Sequence, residues 1–159
     1  MSFLKPRPIQ LLLGAALVVS TLFVSCDKDD DDVDDQTYTV SGNSSGSQMS
    51  PSTNSTATGT MTGAYNARTN VLNYNIGWTG LTTAAGLVQV YGGASSGANG
   101  TLLFPLAITT PGVTGTASGS VTLTDAQETN LLAGTTYYTI SSTTFPGGEI
   151  RGQITAIAN

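Results

Sequence analysis

The chain has 159 residues, of which 9% are charged; the formal net charge is −5, there is no histidine and there is one cysteine. With 5 lysines and arginines in all, no basic cluster is available to hold a polyanion, which excludes a nucleic-acid-binding role. The missing histidine excludes imidazole acid–base chemistry, and one cysteine cannot form an internal disulfide.

The first segment places two cations, Lys5 and Arg7, before an apolar run from Leu11 to Val24, then Ser25 and Cys26. That run of 14 residues falls short of the about 20 needed to cross a hydrocarbon core, so a spanning helix is disfavoured. A cleaved signal without lipid is the closer alternative. An unpaired cysteine at the end of the run favours lipid attachment, because exported proteins otherwise use cysteines in pairs. Residues 1–25 thus resemble a bacterial lipoprotein signal peptide, with Cys26 as the lipidated residue.

Seven of the ten acidic residues lie between Asp27 and Asp35. A run of like charge repels itself and stays solvated, so residues 26–36 read as an acidic tether. The run lacks the glycine turn and distal glutamate of a calcium-binding EF-hand loop. Lys28 followed by aspartates resembles the export signal of lipoproteins displayed on the outer membrane. The expected location is therefore the bacterial cell envelope, lipid-anchored, in the outer membrane and surface-exposed, with the membrane reached through acyl chains.

The 124 residues after Asp35 carry only Arg68, Asp125, Glu128, Glu149 and Arg151 as charged groups. They are enough for one domain, 37–159, with a single core. Thr37–Val40 reads as a short strand and the Gly/Ser/Asn/Pro-rich stretch Ser41–Ser55 as a loop. Thr56–Tyr65 alternates, a turn follows at Asn66–Asn70, and the next strand sets Leu72, Tyr74, Ile76 and Trp78 on one face. This period of two is the clearest strand signal in the chain. Leu87–Tyr91 and Thr101–Ile108 are further strands around the turn-rich 92–100, with Pro105 predicting an edge or bulge. Val113–Leu123 alternates again. Thr124-Asp-Ala-Gln127 fits a capping box, and Leu131-Leu-Ala-Gly134 ends a short helix near residues 124–133. Thr135–Ser142 and Glu149–Ile157 complete the set. The fold class is all-β, an antiparallel Greek-key-like β-sandwich of about eight strands with one short helix.

Between the last two strands stands Phe145-Pro-Gly-Gly-Glu-Ile-Arg-Gly-Gln-Ile154. Pro146 and Gly147 fit the corners of a type II turn. Glu149, Arg151 and Gln153 then share one strand face, and Ile150, Gly152 and Ile154 the other. Opposite charges two residues apart read as a cross-strand clamp rather than a functional pair. Tyr137 and Tyr138 must point to opposite faces, so one of them is expected outward. Tyr91, beside the 92–100 loop, lies near Gln89 and Asn99, and these three are the candidate ligand contacts, to a sugar or a partner protein. The sequons at Asn43, Asn54 and Asn99 are incidental in a bacterial lipoprotein.

The segment Leu132–Ile154, with its tyrosine-bearing strand and Pro146, Gly147, Gly148, Glu149, Ile150, Arg151, Gly152 and Gln153, resembles the C-terminal signature of the CHRD, or chordin, domain family. Gly80-Leu81, Asn99-Gly100 and Leu131-Leu-Ala-Gly134 follow in the family's order, so the likeness covers about Thr37 to Ile157. It implies an extracellular all-β domain, not an enzyme, with the signature residues structural. Many microbial members carry a His-x-His pair where this chain has Gln89-Val-Tyr91, and another histidine near Ser141. Here all three are replaced, so no metal and no cofactor are expected. The chain is read as a non-catalytic, lipid-anchored extracytoplasmic module with a structural, adhesive or ligand-binding role and an unknown protein or glycan partner. The alternative is a degenerate enzyme on a dismutase-like metal scaffold.

Overall fold

The computed structural model of the protein describes residues 36–159. The signal peptide expected over residues 1–25, the lipidation site expected at Cys26 and the expected acidic tether up to Asp35 lie outside the described residues. The domain is all-β, as its alternating runs predict. Its strands are β1 (Thr37–Ser45), β2 (Thr58–Asn66), β3 (Val71–Thr79), β4 (Ala85–Gly92), β5 (Thr101–Leu106), β6 (Ile108–Thr110), β7 (Gly115–Thr122), β8 (Tyr137–Ser142), β9 (Ile150–Gln153) and β10 (Thr155–Ala158). One helix, α1 (Asp125–Leu132), and a 3₁₀ turn at Gly46–Gln48 complete the set.

All ten strands belong to one antiparallel sheet in the order β5-β4-β8-β9-β1-β2-β3-β7-β6, with β10 added beside β1. The two end strands, β5 and β6, are separated in sequence only by Ala107. The chain itself therefore passes from one end of the sheet to the other, leaving it nearly closed and barrel-like. Pro105, which cannot donate to a ladder, lies on the end strand β5, as expected of a proline.

The strand count exceeds the expected eight because two long segments divide. Thr101–Ile108 breaks at Ala107, where the chain crosses between sheet ends. Glu149–Ile157 breaks at Ile154, whose N–H turns to the Thr136 carbonyl at 2.9 Å. Before that break β9 bridges β8 and the far end of β1; after it β10 runs along the near half of β1. β1 itself is longer than expected, because Ser41–Ser45, composed like a loop, pairs with Thr58–Thr62 of β2. Small residues are needed there: a Cβ on Gly42 would lie 2.5 Å from the Gln153 carbonyl oxygen.

Leu72, Tyr74, Ile76 and Trp78 of β3 are all buried, together with Val40, Met61, Tyr65, Val88, Val90, Tyr138, Ile140, Ile150 and Ile154. Trp78 keeps its indole N–H satisfied by the Gly112 carbonyl at 3.0 Å. The helix begins as its sequence predicts: Gln127 N–H donates to Thr124 Oγ1 and Thr124 N–H to Gln127 Oε1. It ends before Gly134, which takes a positive φ of 69°. The expected outward tyrosine is a correction. Tyr137 and Tyr138 do face opposite ways, yet both are buried, because loops cover the second face of β8.

Ile76 and its neighbour Asn75 face opposite sides of β3, one buried and one exposed. Ile76→Ala is expected to cost about 2–5 kcal/mol in urea unfolding, and Asn75→Ala less than about 0.5 kcal/mol. Similar losses for both would contradict the assigned faces.

Candidate functional site

The motif strand begins with a tight turn. Gly148 N–H donates to the Phe145 carbonyl at 3.0 Å, with Pro146 and Gly147 at the two corners. Gly147 does not take a positive φ; Gly148 does, at 123°. The turn is therefore of type I rather than type II, with glycine at its fourth position. A Cβ on Gly148 would also lie 2.6 Å from the Met49 side chain, so this glycine lets a covering loop approach closely.

Beyond the turn the strand alternates. Ile150 and Gly152 face the core, and Gly152 leaves room for the Tyr138 ring, which an added Cβ would meet at 2.6 Å. Glu149, Arg151 and Gln153 face the other side, beneath the loops. Glu149 is 0% and Arg151 1% exposed. They do not pair with each other, which corrects the expected clamp between them: each is satisfied by a different set of groups.

Glu149 Oε1 accepts from Ser55 Oγ at 2.7 Å, Thr82 N–H at 2.8 Å and Thr82 Oγ1 at 2.7 Å, and Oε2 accepts from Ser142 Oγ. Its carbonyl accepts from Thr53 Oγ1 at 2.7 Å. Burial pushes the carboxyl pKa up, but the hydrogen bonds from Ser142, Ser55 and Thr82 outweigh it and hold the group below its ordinary value. Arg151 donates from Nη1 to the Ala98 carbonyl at 2.7 Å and from Nη2 to Ser95 O at 3.1 Å and Gln153 Oε1 at 3.2 Å. Its guanidinium carbon lies 3.5 Å from the centroid of the Tyr137 ring. Burial lowers its pKa but leaves a guanidinium charged at any working pH. Gln153 donates from Nε2 to the carbonyls of Ala94 and Gly134, at 3.1 and 2.9 Å. Three side chains on one strand face thus fasten the 46–55, 80–83, 93–100 and 134 segments.

A cleft of about 170 Å³ opens above Arg151, lined also by Tyr91, Asn99, Tyr137, Thr139 and Gly147. Tyr91 and Tyr137 stack with centroids 5.1 Å apart and planes 6° from parallel. Of the three candidate ligand contacts, Tyr91 and Asn99 both line this cleft. Gln89 does not, but accepts from the Tyr91 hydroxyl at 3.2 Å. Asn99 donates to Ser50 O across the mouth at 2.8 Å. Sequence reading missed Thr139 and had Tyr137 only as one of two tyrosines, either of which could face outward; the position of both depends on pairing of β8 with β4 and β9. A wider groove of about 540 Å³ runs from the cleft between residues 49–54 and 144–148.

Among the described residues no three His, Cys, Asp or Glu side chains come together as a metal site, and no helix is long and apolar enough to cross a membrane. The positions where the family resemblance implies histidines hold Gln89 and Tyr91 on β4 and Ser141 near them on β8. Amide and hydroxyl oxygens do not fit a copper or zinc centre.

A nearly closed antiparallel barrel whose last strands carry a loop-fastening Pro-Gly-Gly-Glu-Ile-Arg-Gly-Gln motif is the class that fold and site define. Residues 40–154 match the CHRD domain profile, and the protein belongs to the CHRD domain family. No curated protein and no solved structure matches the chain.

The Glu149 network makes stability depend on pH. The folded-state carboxyl pKa lies below the ordinary 4.5, so its stabilisation is present above that value and is lost as pH falls through the folded pKa. Glu149→Gln is expected to lower unfolding free energy at pH 7 by about 1.5–3 kcal/mol. It should also flatten the loss of stability below pH 4.5. A variant that keeps the wild-type acid slope would contradict this assignment.

Proposed function

We propose that this CHRD protein is a non-catalytic module, anchored by lipid at Cys26 and presented outward from the bacterial envelope to engage a ligand or partner. The observation that carries the reading is the placement of the two ends of β1. The acidic run leads into the domain at Gln36, beside the start of β1, where Thr37 pairs with Asn66. The cleft lies by the other end, where Ser45 pairs with Arg151. Eight residue steps of extended chain separate these ends by about 26 Å. A tether at one end and a cleft at the other is the arrangement an outward-facing binding module needs.

The chemistry of the motif supports the non-catalytic part. A general acid or base needs an oxygen free to reach substrate, and both Glu149 oxygens are taken up by protein donors. Asp125 and Glu128 belong to α1, away from the cleft lining.

Expressed in a bacterium with two membranes, the full chain is expected to carry acyl groups on Cys26, to fractionate with membranes and to be shaved from intact cells by added protease. Cys26→Ser should release it to the soluble fraction. An unacylated Cys26, or wild-type protein free in the lysate, would contradict the anchoring. In a screen of glycans and esters the protein should show no turnover above Glu149→Gln. Hydrolysis lost in that variant, or stoichiometric copper or zinc in the purified protein, would contradict the non-catalytic reading.

A further inference from the structure

The guanidinium of Arg151 is a buried cation without a carboxylate partner. It has five N–H donors, and three hydrogen bonds are made, to Ala98, Ser95 and Gln153. Two donors are left without an acceptor among the described residues, on a side chain that lines the cleft. Thr139, also in the lining, makes no side-chain hydrogen bond among those residues, and Asn99 spends one amide hydrogen on Ser50. No acidic side chain lines the space. The cleft is therefore lined by unspent donors, borders a cation that no carboxylate pairs with, and offers little to a cation.

We propose that this cleft binds a carboxylate group, with the Arg151 guanidinium as its counter-charge and Thr139 and Asn99 as flanking donors. This rests on reading the domain as a binding module but not on its lipid anchor. Size and charge narrow the class. At about 170 Å³ the cleft is smaller than the roughly 300–1,000 Å³ that take drug-sized ligands, so it holds a single functional group or a small acid. With both Nη2 hydrogens spent, the free Nε–H and Nη1–H lie on different edges of the guanidinium, so Arg151 offers a carboxylate one charge-assisted hydrogen bond, to which the Thr139 hydroxyl and the second Asn99 amide hydrogen add. One cation balances a monoanion, and the buried Glu149 two residues away along the strand opposes a dianion such as phosphate. The stacked Tyr91–Tyr137 pair does not supply a sugar platform on Tyr137, since that ring also lies under Arg151. A free monocarboxylic acid and the uronate of an acidic polysaccharide offer the same group.

The test is titration of the isotope-labelled full chain in detergent micelles, followed by amide NMR, with acetate, glucuronate, an alginate oligomer, glucose and inorganic phosphate as probes. Saturable shifts confined to residues around Tyr91, Asn99, Thr139 and Arg151 are expected with the carboxylates and not with glucose or phosphate. Acetate acting as well as glucuronate would point to a free acid; alginate surpassing both would point to a polysaccharide uronate; either supports the proposal. Arg151→Lys should weaken binding by about tenfold, the loss of one positioned charge-assisted hydrogen bond. Because that variant can also disturb the loops, Gly147→Phe serves as a second. An added Cβ at Gly147 meets nothing within 4 Å, so the fold is kept while the ring fills the cleft, and binding should be abolished at unchanged thermal stability. No saturable shift with any carboxylate, equal response to phosphate, or binding retained in Gly147→Phe would overturn the proposal. The ligand spectrum keeps this separate from the functional reading: conversion of a probe to product would contradict the non-catalytic module, whereas silence from every carboxylate leaves that module standing without this ligand class.

Discussion

The domain depends on two charges buried two residues apart that do not neutralise each other. Taking either ion out of water costs several kcal/mol even after relaxation, and an ion pair is the usual remedy. Here Glu149 is compensated by hydroxyl and amide donors and Arg151 by carbonyl acceptors and an aromatic face. Each charge therefore demands a complete set of loop groups, and burying either without its set would be unfavourable. Hydrogen bonds to charged groups contribute about 1.5–3 kcal/mol each, against at most about 1 kcal/mol for a surface ion pair. Fastening loops through separate charges is thus the stronger arrangement.

This constraint organises the rest. With Glu149 holding Thr53, Ser55, Thr82 and Ser142, and Arg151 holding Ser95 and Ala98, the second face of the β4-β8-β9 sheet is roofed by chain segments far apart in sequence. Tyr137 and Thr139 are buried beneath that roof although they do not face the apolar core. The glycines of the motif serve the same end. Gly148 admits Met49 of the roof, and Gly152 admits the Tyr138 ring on the core side. What remains open is the small cleft over Arg151, at the end of β1 opposite the point where the acidic run joins.

Much of the fold was legible because it is written in local patterns. Leu72, Tyr74, Ile76 and Trp78 alternate, and they are buried; Thr124 and Gln127 have capping-box spacing, and they cap the helix. Ser41–Ser45 misled because pairing with β2 and β9, not composition, makes it strand. The near-closure of the sheet is also absent from local pattern, since it depends on β5 and β6 meeting across the ends. At the site, Tyr91 and Asn99 were singled out by nearness along the chain. The spacing of Glu149 and Arg151 suggested a pair, because partners such as Ser55, Thr82, Ser95 and Ala98 come from 53 to 94 residues away and no spacing rule reports them.

The independence of the two buried charges is measured most directly by a double-mutant cycle on unfolding free energy with Glu149→Gln, Arg151→Met and the double variant. With no shared partner, the two losses should add to within about 0.5 kcal/mol. A coupling energy of about 1 kcal/mol or more would show that the charges stabilise each other, and would contradict separate fastening of the loops.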